Sequence, residues 1–183
     1  MARKSKEQPE QEVEVIPVSP EEVPPAEFTR DEITMATLAH GSILLTAIIA
    51  LGSGGVGAVL GVLVPFIIWL SYREKSTHVA LQALQATVYQ VLSVLAVVVV
   101  TVVVGLLVGL GWIVSGALTS VLVGLCLMPF NLLLSVIWVV AVVGLPLAAL
   151  GYGLYAAYRT YHGEDFRYWL IGERVAESKA MQS

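Results

Sequence analysis

His78, Gln82, Gln85 and Tyr89, in the stretch "STHVALQALQATVYQ", recur at steps of four, three and four, which sets them on one side of a helix. Such a row can line a polar path for a solute or bond neighbouring helices to one another. The amides are neutral, whereas a helix resting on lipid headgroups carries a basic polar face. Hydrogen bonding to adjacent helices, or to a polar cavity at a cytoplasmic mouth, therefore suits this stripe better than contact with headgroups. His40, in "MATLAHGSILL", is the only titratable group deep in the first apolar run, with Ser42 and Thr46 close on the same side. It reads either as a proton, ion or substrate group or as a helix-to-helix hydrogen bonder. Asn131 and Ser135, one turn apart after Pro129, read as polar glue between helices. His162, Glu164 and Asp165 crowd one turn beside Gly163, a poor arrangement for converging on a metal ion, and no metal is assigned. No nucleophile elbow, phosphate-cradling glycine loop, HExxH or paired intramembrane carboxylate occurs, so neither a catalytic residue nor a cofactor is expected. A basic patch interleaved with aromatic residues is also missing, which argues against nucleic acid as a partner.

The elements that carry these residues are unusually apolar. Of 183 residues, 57% are hydrophobic and 13% charged, and mean hydropathy is +0.81; soluble domains are about 25% charged. No Asp, Glu, Lys or Arg occurs over the 40 positions 33–72, nor over the 83 positions 76–158. A spanning helix needs roughly 20 apolar residues to cross about 30 Å of hydrocarbon. A soluble core of this size would need charged outer faces on its helices, and these runs have none. The expected class is all-α: a polytopic transmembrane bundle. Residues 1–29, with seven acidic residues, three basic ones and five prolines, read as a disordered cytoplasmic tail. The first apolar run starts behind acidic residues, so it reads as an uncleaved signal rather than a cleavable one. Cys126 is the only cysteine, which rules out an intramolecular disulfide, and reads as a small buried hydrophobe.

Length and charge place the spans. The first run breaks at "LGSGG", where glycine and serine permit a tight reversal, giving spans at about 33–51 and 56–72. Arg30, Arg73, Lys75, Arg159, Arg167, Arg174 and Lys179 flank the apolar runs, and basic residues mark the cytoplasmic side. An even number of crossings keeps them all there, with both termini cytoplasmic in a plasma or inner membrane. Two further spans then fall at about 89–108 and 130–158, the last kinked at Pro146, and five spans is the rival count. Between them, 109–129 is bounded by Gly109, Gly111, Gly116 and Pro129 and reads as a re-entrant or half-spanning segment. Residues 76–88 and 164–175 read as interfacial amphipathic helices, and 176–183 as a C-terminal tail. Tyr152, Tyr155, Tyr158 and Tyr161, followed by Phe166, Tyr168 and Trp169, read as an aromatic belt at the membrane boundary. Gly57/Gly61, Gly105/Gly109 and Gly153/Ala157 place small residues one turn apart, which allows close helix approach.

Three stretches carry a resemblance: "DEITMATLAHGS", "LVPFIIWLSYREKSTHVALQALQATVYQ" and "YHGEDFRYWLIGE". Over most of 31–175 the chain resembles a bacterial membrane family known as domain of unknown function forty-eight seventy. That family is distantly similar to the chloroplast import component Tic-twenty. The resemblance implies a four-helix membrane domain and no established activity. Residues and resemblance together predict a non-catalytic accessory or structural subunit in the bilayer, packing against membrane partners or against itself. The alternative is a small channel or transporter component, its path lined by His40, His78, Gln82 and Gln85.

Overall fold

The computed structural model describes residues 28–169 and 171–180. The expected tail 1–29 lies outside the described residues except for Phe28 and Thr29, as do positions 181–183. The fold is an all-α bundle, with no strand among the described residues: α1 (Arg30–Gly52), α2 (Ala58–Tyr72), α3 (Thr77–Val99), α4 (Gly105–Ala117), α5 (Val123–Tyr161) and α6 (Gly172–Ala180). A π-helical turn, Val100–Val104, joins α3 to α4, and a 3-10 turn, Leu118–Val121, follows α4.

Local chemistry sets the boundaries. Thr29 opens α1 with a capping box: its hydroxyl accepts from the Glu32 amide at 3.3 Å, and its own amide donates to Glu32 Oε2 at 2.9 Å. The Ser76 hydroxyl caps α3 by accepting from the Val79 amide and donates to Glu32 Oε1 at 2.6 Å, which fixes the starts of α1 and α3 at one level. Between α1 and α2 the chain reverses through Gly54 (φ 65°) and Gly55 (φ 96°), left-handed positions that favour glycine.

The core is made of small residues. Ala36 and Ala39 of α1, Ala80, Ala83 and Ala86 of α3 and Ala156 of α5 are buried, while Leu44, Ile48, Leu60, Leu95 and Leu154 face outward. With lipid rather than water outside, packing depends on close backbone approach, which small side chains permit. Gly61 lies directly against the backbone of Thr46, and a Cβ on Gly153 would sit 2.8 Å from Ile43 Cδ1. Gly57 packs on Ile49 and Ser53, and Gly105 on the Trp138 ring; Gly109, grouped with them by spacing, faces open space.

By length and composition, three helical runs are able to cross a membrane: Arg30–Gly52, Thr77–Val121 and Val123–Tyr161, with α2 as a shorter apolar helix. Several expectations change here. The expected segment 109–129 has no break at its glycines: helix continues through Gly109, Gly111 and Gly116 to Val121, reverses at Leu122 (φ 64°) and resumes as α5. A glycine costs a helix about 1 kcal/mol, whereas an unbonded backbone group in hydrocarbon costs several, so the helix runs on. Residues 76–88 are not an interfacial helix but the first turns of α3, buried among α1, α2 and α5. Residues 162–169 form a non-helical strap, and the last helix begins only at Gly172. Cys126 is exposed on the outside of α5 rather than buried.

The Gly61–Thr46 contact leaves no room for a side chain. Gly61→Ile is expected to destabilise the bundle by about 2–3 kcal/mol, while Gly109→Ile is nearly neutral; thermal unfolding of both variants in mild detergent checks the difference.

Candidate functional site: a buried polar chain at the charged end

The charged ends of α1, α2, α3 and α5 meet on one side of the bundle, where Tyr72 donates to Asp31 at 3.3 Å and Ser76 to Glu32. Just inside this end the strap 162–169 folds back and inserts Tyr168, which is 3% exposed, beside α1 and α3. Four side chains then form one continuous hydrogen-bonded chain. Asp165 Oδ1 accepts from Gln82 Nε2 at 2.7 Å, Gln82 Oε1 lies 2.9 Å from His40 Nε2, and His40 Nδ1 lies 3.1 Å from the Tyr168 hydroxyl.

The carboxylate sets the direction of every bond. An ionised Asp165 can only accept, so Gln82 turns its NH2 toward it and its carbonyl toward His40. His40 therefore donates from Nε2 and keeps Nδ1 as the acceptor for Tyr168. Burial raises the pKa of the Tyr168 phenol above its ordinary value, and the neighbouring Tyr89 and Tyr152 add to this, so the group remains a donor. Its ring stacks on Tyr89 at 4.2 Å and 12° and meets Tyr152 edge-on at 5.4 Å.

Two further bridges tie α3 to the strap and to α1. Gln85 Oε1 accepts from the Tyr168 amide at 3.2 Å, while its Nε2 has no hydrogen-bond partner among the described residues. Deeper in the bundle, Gln90 donates to Ser42 and accepts from Thr46, both at 2.9 Å, tying α3 to α1 a second time. His78 stands at the outer edge, with Nδ1 3.8 Å from Asp165 Oδ1 and the Phe28 ring stacked on it at 3.6 Å.

The structure thus brings His40, His78, Gln82 and Gln85 together, three of them fully buried. Asn131 lies elsewhere, in the α4–α5 hairpin, where its Nδ2 donates to the Gly111 carbonyl at 2.8 Å and to the Ser115 hydroxyl. Three members were missed from sequence: Asp165, Tyr168 and Gln90. Gln90 falls outside the four-three-four stripe. Asp165 and Tyr168 arrive from a loop whose path no local pattern predicts. His162, Glu164 and Asp165 turn to three different partners, the Tyr158 carbonyl, Arg159 and Gln82 respectively. No group of three or more His, Cys, Asp or Glu among the described residues is placed to hold a metal ion.

A family model matches residues 31–175, which include α1 through α5, the strap and the start of α6. The chain belongs to the MamF/MmsF family, the magnetosome magnetite crystal formation proteins. This corrects the resemblance to the family of unknown function and to Tic-twenty: the stretch around His40 in α1, the charged turn before α3 and the aromatic strap lie in the magnetosome family's match. No curated protein and no solved structure matches the chain. Within this magnetosome family member, Asp165, Gln82, His40 and Tyr168 each have a protein partner, while Gln85 keeps Nε2 unbonded among the described residues.

Removing the phenol hydroxyl while keeping the ring tests the closure of the chain. Tyr168→Phe leaves buried His40 Nδ1 without a donor and is expected to cost about 1–3 kcal/mol. Faster amide hydrogen exchange across 164–169, with α2 unchanged, is the expected signature.

Proposed function

We propose that the chain serves magnetite crystal formation as a non-catalytic subunit of the magnetosome membrane, acting by helix packing with membrane partners. One observation carries this reading: in a member of a crystal-formation family, the side chains able to do chemistry are bonded to one another across the bundle. What remains available on the outside of the helices is apolar surface. Arg30, Arg73, Lys75 and Arg159 share one end of the bundle, and the tendency of basic residues to stay inside supports a cytoplasmic location for that end. The alternative, a solute path lined by His40, His78, Gln82 and Gln85, needs those groups to face an open cavity. The cleft of about 270 Å³ at Asn131 lies in the α4–α5 hairpin, and that of about 320 Å³ between Tyr89 and Tyr152 lies between α3 and α5; none of the four residues lines either one.

Electron microscopy of magnetite-forming cells that lack this chain is the test. Crystal size or shape is expected to change, and the wild-type chain restores it. Gln85→Met, of similar volume, is expected to restore it equally if the protein acts by packing. A folded, membrane-inserted Gln85→Met protein that fails to restore the crystals would favour the polar path.

A further inference from the structure

The helices after α2 are too long for the bilayer that α1 fits. The 23 residues of α1 measure about 34 Å, whereas the 45-residue run Thr77–Val121 measures about 67 Å and the 39 residues of α5 about 58 Å. Thr46 bonded to Gln90, and Ile43 against Gly153, fix the levels: the end of α1 falls beside position 96 of α3 and position 144 of α5. Beyond that plane the hairpin continues for roughly 35 Å. Tilting does not absorb the excess, because even at about 40° a 67 Å rod rises about 51 Å against about 30 Å of hydrocarbon.

The helical geometry changes at that same plane. The π-helical turn Val100–Val104 sits there on one side, and Gly144 with Pro146 on the other. Pro146 has no amide hydrogen to give the Val142 carbonyl, and sharp helix bends occur at prolines and π-bulges.

The distal part also has the chemistry of a segment without water. Leu106, Leu110 and Ile113 on α4, and Phe130, Leu133 and Ile137 on α5, are all more than half exposed, so the outer sides of both helices are apolar. A protein partner would cover one side, whereas lipid covers both. The few polar groups bond inward: Trp112 Nε1 donates to Ser135 at 2.9 Å, Thr119 to the Ser115 carbonyl at 2.8 Å, and Asn131 to Gly111. The two turns differ in kind. The α1–α2 turn reads Ser-Gly-Gly, while the hairpin tip reads Val-Leu-Val, with Leu122 in the left-handed position that a water-facing turn gives to glycine or asparagine.

We propose that residues 105–140 form a lipid-embedded arm. The arm bends at the Val100–Val104/Pro146 hinge and lies in the hydrocarbon of the bilayer that the rest of the bundle spans, and its tip never enters the far aqueous phase. Cys126, the only cysteine, sits exposed four residues after Leu122 and serves as the reporter. The full chain is labelled there with bimane in detergent and reconstituted into unilamellar phosphatidylcholine vesicles. Lipids brominated on their acyl chains are expected to quench the label at least twofold, and iodide on either side of the vesicle to leave it unchanged. A label placed in the α1–α2 turn by Ser53→Cys in a Cys126→Ala background is expected to behave in the opposite way. Quenching of the Cys126 label by iodide trapped inside the vesicles overturns the proposal, because the tip would then stand in water. Protein-dependent clustering of vesicles overturns it by showing a second membrane as the occupant. Cross-linking between two Cys126 thiols without bromolipid quenching overturns it by showing a second copy. Gly144→Ala with Pro146→Ala is expected to stiffen the arm and move the label toward iodide; an unmoved label overturns the hinge.

Discussion

Hydrocarbon offers no hydrogen bonds, and every other feature of this fold follows from that lack. A backbone amide or a glutamine turned outward would lose several kcal/mol, so the helices run without interruption and the polar side chains turn inward. The usual distribution of residues is reversed: leucine, isoleucine and valine coat the outside, while alanine, glutamine, serine and histidine fill the interior. Stability then rests on how closely the backbones approach, as at Gly61, and on how completely the interior polar groups satisfy one another.

The chain from Asp165 through Gln82 and His40 to Tyr168 meets the second demand with one carboxylate setting the direction of three bonds. It joins α1, α3 and the strap, elements far apart in sequence, at the charged end of the bundle. A polar network of this kind favours one arrangement of helices, because a misplacement leaves further buried donors or acceptors unmatched. A fixed arrangement of helices presents one defined apolar surface to the surrounding bilayer.

Much of this was legible from residue patterns. The uncharged runs at 33–72 and 76–158 announced the helices, and the Gly-Ser-Gly-Gly stretch announced the first turn. The spacing of Gln82 and Gln85 marked a single helix face, and His40 stood out as a lone titratable group. Other features were hidden for physical reasons. Gly109, Gly111 and Gly116 suggest a break only if water is available to receive freed backbone groups. Tyr168 has the composition of a boundary aromatic, and its burial depends on a loop path set by Asp165 reaching Gln82. The π-helical turn at Val100–Val104 lies in an uninterrupted run of valine and threonine that gives no local sign of it.

The distance along the chain between His40 and Tyr168 carries a consequence for biogenesis. The two are 128 positions apart, and at about 5–20 residues per second the ribosome needs roughly 6–25 s to make the intervening segment. During that interval α1 has no phenol to offer its histidine. Closure of the strap thus follows the synthesis of α2 through α5, and a late segment seals an earlier one.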